Sequence, residues 1–94
     1  MNKKIKSVTL DQLFEGILNL ESKKECYQFF EDLCTIPELK DMALRFEVAK
    51  RLEAGESYQS IADYTQASTA TISRVAKSLS YGADGYKLIL KRLK

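Results

Sequence analysis

Apolar side chains return every three or four residues along nearly the whole chain, and no useful stretch alternates with a period of two. That spacing lines one side of an α-helix and matches no face of a strand. Pro37 and four glycines are the only strong interruptions in 94 residues. The chain is therefore expected to be all-α. Leu10, Leu13, Phe14, Ile17 and Leu18 predict a first helix with one buried stripe, opened by a capping box of Thr9 and Gln12. Ser22 and Glu25 repeat the signal ahead of Cys26, Phe29, Phe30 and Leu33. A third helix is expected to open at Pro37 and end before Gly55, with Leu39, Met42, Ala43, Phe46, Ala49 and Leu52 as its apolar positions.

Past Gly55 the pieces shorten. Ser57 can cap a helix of two turns containing Ile61, Ala62 and Tyr64. Thr65-Gln66-Ala67 makes a tight connection, and Ser68 caps a helix with Ile72, Val75, Ala76 and Leu79 inside. Tyr81-Gly82-Ala83-Asp84-Gly85 breaks that helix, and Tyr86 to Leu93 supplies a last amphipathic stretch. No repeat or linker interrupts residues 1–94, so one domain is expected.

A chain of this length buries only about 60–65% of its unfolded surface, so its core is thin and a partner chain would help. With 45% hydrophobic and 30% charged residues it has the make-up of an ordinary globule. No apolar run approaches the roughly 18–20 residues that cross a bilayer. The start, Met1-Asn2-Lys3-Lys4-Ile5-Lys6-Ser7, is basic and lacks the apolar stretch of a secretion signal, which makes the cytoplasm the default location. There is no histidine, and the two cysteines, Cys26 and Cys34, are eight apart. Neither a metal site nor an imidazole-activated nucleophile can be assembled from that set. Catalysis is not expected, and no metal or cofactor is implied. Both cysteines read as reduced core residues.

Charge is divided unevenly. Residues 1–65 carry nine Lys/Arg against twelve Asp/Glu, a balance of −3. Residues 66–94 carry six cations against Asp84 alone, a balance of +5. A basic end of this kind meets an anion, most often nucleic acid, or is a solvated tail.

Residues 57–79 have the form of a helix-turn-helix: two short capped helices, a connection of three residues, and small Ala62 where the helices cross. With Ile72 facing inward, the 100° step per residue puts Ala70, Ser73, Arg74 and Lys77 on the far side. Ser68, Thr69 and Thr71 surround the first turn. That surface has short side chains, many hydroxyls, two cations and no acidic group. A helix must enter the major groove closely to read base edges, and bulk or negative charge would obstruct it. Lys77 and Gln59 are expected on phosphates; Thr69, Ala70, Ser73 and Arg74 are expected at bases. The alternative is a solvent-facing helix whose hydroxyls only cap it, although β-branched and hydroxyl residues form exposed helices poorly. At the turn, Gln66 or Ala67 must take the position where glycine is common; a positive φ there costs roughly 1 kcal/mol or more.

Three segments together carry a resemblance. Ala67-Ser68-Thr69-Ala70-Thr71-Ile72-Ser73-Arg74-Val75, Cys26-Tyr27-Gln28-Phe29-Phe30-Glu31-Asp32-Leu33-Cys34-Thr35 and Tyr81-Gly82-Ala83-Asp84-Gly85-Tyr86 resemble the YerC/YecD family, relatives of the tryptophan repressor. The likeness runs from about Leu10 to the end. It implies a six-helix Trp repressor-like fold whose N-terminal helices interlace with a second copy, giving a two-fold homodimer on double-stranded DNA. It implies a transcription regulator, most simply a repressor that occludes an operator. It also places Thr35, Arg45, Arg74 and Ser78 at positions that line the effector site of the tryptophan repressor. The residue after the second arginine is glycine there and Val75 here; a β-branched side chain would fill the indole's space at about 1–3 kcal/mol or more. L-Tryptophan is therefore not expected as effector, and a different ligand or none stays open. Without a ligand, Arg45 would pair with Asp41 and Arg74 would serve DNA alone.

The remaining features have plainer readings. Tyr81 and Tyr86 are expected to pack the last helix. Lys3, Lys4 and Lys6 form a frayed terminus or a phosphate-touching arm. Lys87, Lys91 and Arg92 flank DNA or keep the surface soluble. The competing function is a protein-interaction or dimerisation module with the same fold that no longer reads DNA.

Overall fold

A computed structural model describes residues 3–94. Met1 and Asn2, the first residues of the basic start, lie outside the described residues. Six helices follow one another: α1 (Val8–Leu18), α2 (Lys23–Leu33), α3 (Ile36–Glu53), α4 (Tyr58–Thr65), α5 (Thr69–Tyr81) and α6 (Gly85–Leu93). No strand occurs among the described residues. The chain divides into two compact units, Met1–Leu39 and Lys40–Lys94, with the division inside α3.

The first unit is a pair of capped helices. Ser7, in extended backbone, accepts the Leu10 N–H at 3.0 Å and so opens α1. This replaces the expected Thr9–Gln12 box: serine two residues earlier caps better than threonine and lets Val8 enter the helix. Ser22 accepts the Glu25 N–H at 3.1 Å as expected, while the Glu25 carboxylate reaches past it to the Glu21 N–H at 2.9 Å. Phe29 and Phe30 meet edge to face at 5.5 Å, and the Phe29 ring lies in van der Waals reach of Gly16.

The stripes expected on α1 and α2 are present but only partly covered. Leu10, Leu13, Ile17, Phe29 and Phe30 are half-buried. Phe14, Leu33 and Cys26 are exposed, Leu18 is 83% exposed and Tyr27 73%. No residue of either helix is fully buried. Two short helices cannot close around such stripes, which corrects the assignment of Cys26 to a core; Cys34 is half-buried. Lys6 is not simply frayed, since its ammonium lies 3.5 Å from Asp11.

α3 begins with a capping box that spacing alone would have revealed. Thr35 Oγ1 accepts the Glu38 N–H at 3.3 Å, and Glu38 Oε1 accepts the Thr35 N–H at 2.8 Å. The helix therefore opens at Ile36, one residue before the proline. It ends at Glu53, before Gly55 as expected, and the φ of 87° at Gly55 supports a Schellman closure. There the Glu56 N–H reaches Arg51 O and the Gly55 N–H reaches Leu52 O, both at 3.0 Å.

The second unit holds the core: Val48, Ala49, Ile61, Ala67, Ile72, Val75, Leu79 and Leu90, flanked by Leu44, Phe46, Leu52, Ala62 and Tyr86. The inner face expected for α5 is correct, with Ala76 half-buried. On α3 the buried row includes Leu44 and Val48, whereas Met42 and Ala43, expected inside, are exposed. α3 is thus apolar on more than one side. Tyr86 packs against the core as expected, but Tyr81 is 85% exposed and does not pack the last helix.

A Cβ on Gly82 would collide with the Ser78 carbonyl, while one on Gly85 would meet nothing within 4 Å. Gly82→Ala should cost about 1–3 kcal/mol in urea denaturation, and Gly85→Ala should be neutral or stabilise by up to about 1 kcal/mol. Equal effects would contradict this. The Thr35 N–H, with the Thr35 hydroxyl beside it, holds the Glu38 carboxyl below its ordinary 4.5. A depressed folded pKa means stabilisation present above about pH 4.5 and lost as pH falls through the folded value. The Thr35 amide resonance should titrate with a midpoint below 4.5 and lose that titration in Glu38→Gln.

Candidate nucleic-acid interface

The helix-turn-helix is built by short-range hydrogen bonds over a buried centre. Ser57 caps α4 by accepting the Ser60 N–H at 3.1 Å. Ile61 is fully buried and Ala62 half-buried, as the crossing requires. The chain leaves α4 at Gln66, which takes the left-handed position with φ 63°. Its N–H reaches Ala62 O at 2.9 Å and its side-chain amide reaches Asp63 O at 2.8 Å. Thr65 Oγ1 donates to Ile61 O at 2.6 Å and accepts the Ala67 N–H at 3.2 Å. These side-chain bonds stand in for the glycine usual at such a turn. Ala67 is buried beneath it.

α5 then starts cleanly. Ser68 Oγ accepts the Thr71 N–H at 3.1 Å and donates to Thr71 Oγ1 at 3.0 Å. Ile72, Val75 and Leu79 anchor the inner face. Outside, Thr69, Ala70, Ser73, Arg74 and Lys77 are all exposed, with Thr71 half-buried at the edge. Arg74 and Lys77 form no ion pair among the described residues. The expected surface residues thus gather on the outer side of α5. Ser68 and Thr71 complete the helix start, whereas Thr69, Ser73, Arg74 and Lys77 leave their polar groups exposed. Gln59 donates its amide to Asp63 Oδ1 at 2.9 Å, so it approaches any phosphate with a carboxylate beside it.

The effector positions are less uniform. Thr35 caps α3 in the first unit. Arg45 is half-buried on α3 and makes no ion pair with Asp41, contrary to the simple alternative. Arg74 and Ser78 are exposed on α5. Ser78 borders a cleft of about 350 Å³ with Gly82, Ala83, Gly85 and Tyr86, which neither arginine lines. Val75 is 1% exposed and belongs to the core. Among residues not singled out from sequence, Arg51 has the densest set of partners, joined to Glu47, Glu56 and Tyr64. The four-residue spacing from Glu47 was a usable signal.

These features define an all-α protein with a helix-turn-helix. The chain belongs to the Trp repressor family, whose sequence model, described as Trp repressor protein, matches residues 8–94. The uncharacterized protein YerC of Bacillus subtilis (strain 168) is 52% identical over 91 residues, spanning 97% of this chain and 88% of that protein. A crystal structure of a candidate Trp repressor from Staphylococcus aureus is 48% identical with a TM-score of 0.94, covering 99% of this chain and 94% of that one. A TrpR-like protein from Eubacterium eligens is 52% identical with a TM-score of 0.94, covering 98% and 95%. The six-helix Trp repressor-like fold and the kinship with YerC agree with the three motifs.

The left-handed turn gives a direct test. Gln66→Gly should raise stability by about 0.5–1 kcal/mol by relieving the positive φ. Ser68→Ala should lower it by about 1 kcal/mol through loss of the cap. A destabilised Gln66→Gly in urea titration would mean that the bond to Asp63 outweighs the strain.

Proposed function

We propose that the protein is a sequence-specific DNA-binding transcription regulator, acting as a homodimer that represses by occupying an operator. The observation that carries this reading is the outer face of α5. It is acid-free, mostly short-chained, and studded with exposed Arg74 and Lys77, neither of which forms an ion pair among the described residues. Such a face fits closely into a major groove, where Arg74 can bond a guanine edge and the Thr69 and Ala70 methyls can touch a thymine. Lys77 supplies a phosphate contact. Gln59 plays the same part more weakly because of Asp63.

The dimer is supported by the bare apolar stripes of α1 and α2 and by the second apolar side of α3. Their exposed Phe14, Leu18, Leu33 and Met42 are what a second copy would cover. Two-fold pairing would present two reading helices to half-sites about one turn of DNA apart. Val75, set in the core, fits a protein that does not take L-tryptophan; Thr35, Arg45, Arg74 and Ser78 remain the positions at which another effector would act. No enzymatic role enters this reading. No described helix is long and apolar enough to cross a membrane, which accords with a place beside DNA in the cytoplasm.

The test is titration of a duplex selected from a random pool and of an unrelated duplex, at two salt concentrations. Arg74→Ala should lose about 1–3 kcal/mol on the selected duplex and relax preference at one base pair per half-site. Lys77→Ala should weaken both duplexes alike and reduce the salt slope by about one per protomer. If both variants bind as the parent does, or the parent is indifferent to sequence, the chain is an interaction module and not a reader of DNA.

A further inference from the structure

Arg51, in the last turn of α3, grips three groups at once. Its Nε lies 2.9 Å from Glu47 Oε1, and its Nη1 lies 3.1 Å and 3.4 Å from the two oxygens of Glu56. Its guanidinium carbon sits 3.5 Å from the centre of the Tyr64 ring. The side chain is only 19% exposed, so these contacts are less screened than ordinary surface pairs. Glu56 immediately precedes Ser57, the cap of α4, and Tyr64 lies in the last turn of α4. One planar cation on α3 therefore holds the entrance to α4 and the far end of α4 together. Lysine could not do this, since it has neither the fork nor the flat face.

The hold matters because of what α4 carries. α4 and α5 pack closely along their backbones, and the bonds through Thr65, Gln66 and Ala67 tie them into one body. α3 meets that body through side chains, chiefly Val48 and Ala49 in the core. The packed core sets how near the pair lies and much of its orientation, and a polar clamp at its edge can trim the rotation that remains. The Arg51 contacts are directional.

We propose that Arg51 is a positioning residue for the DNA interface. With Glu47, Glu56 and Tyr64 it fixes the rotation of the α4–α5 pair on α3, and hence the aim of Thr69, Ser73 and Arg74. The proposal rests on the DNA-reading function above. Arg51 itself is not a phosphate contact, because two carboxylates and a ring occupy it.

The test compares Arg51→Met, Arg51→Lys, Tyr64→Ala and Tyr64→Phe in the full-length protein. The readouts are affinity for the selected and the unrelated duplex, the salt slope, and hydrogen exchange of the α4 amides without DNA. Arg51→Met and Tyr64→Ala should lose about tenfold or more on the selected duplex and less than about threefold on the unrelated one, with the slope unchanged. Tyr64→Phe keeps the ring and should match the parent; Arg51→Lys should resemble Arg51→Met. Exchange in α4 should quicken by about tenfold in the two disruptive variants. Should Arg51→Met fail to fold, the Tyr64 pair decides. A folded Arg51→Met that reads DNA as the parent does overturns the proposal. Equal loss on both duplexes with a slope lower by about one per protomer also overturns it, making Arg51 a phosphate contact. A parent that selects no duplex overturns the function reading, and α4 exchange then judges the clamp alone.

Discussion

What α5 presents to solvent depends on apolar burial in residues 48–90. Ile61 from α4 and Ile72 and Val75 from α5 share one apolar cluster with Val48 and Ala49 of α3 and Leu90 of α6. Truncating any of the larger of these side chains would cost about 2–5 kcal/mol, a large share of the roughly 5–15 kcal/mol that a domain has to spare. The cluster does more than stabilise. By taking Ile72, Val75 and Leu79 inward, it obliges Ala70, Ser73, Arg74 and Lys77 to face out. The chemistry of the surface is a consequence of the register of the core.

The first unit shows the opposite balance. Its helices are well capped, at Ser7 and Ser22, yet neither contains a fully buried residue. Local hydrogen bonding makes the helices, while Phe14, Leu18 and Leu33 stay exposed on their stripes. The proposed second copy would supply the cover that these stripes lack. The front is acidic and the back basic, so the half-exposed apolar helices and the cationic face of α5 lie in chemically distinct parts of the chain.

Much of this was legible from residues alone. The period of three and four identified every helix, and the serines at 22, 57 and 68 marked starts that the structure keeps. The outer face of α5 was readable because a single buried residue, Ile72, sets the angle of all others. Sequence and structure differ where two signals compete within a few residues. Ser7 and Thr9 both offer caps, and the earlier won. α3 is apolar on two sides, so periodicity could not say whether Val48 or Met42 faces the core. Exposure of Cys26 and Tyr81 was out of reach because it depends on how much core a chain can close, not on residue type. The Arg51 cluster was hidden for another reason: Glu56 and Tyr64 converge on it only once Gly55 has turned the chain.

The central claim, that paired copies of one acid-free helix face read a duplex, is tested most directly by the sequences that the purified protein enriches from a random pool. The account predicts two related half-sites in opposite orientation, centred about one helical turn apart. Enrichment of a lone, unpaired motif, or of none, would contradict it.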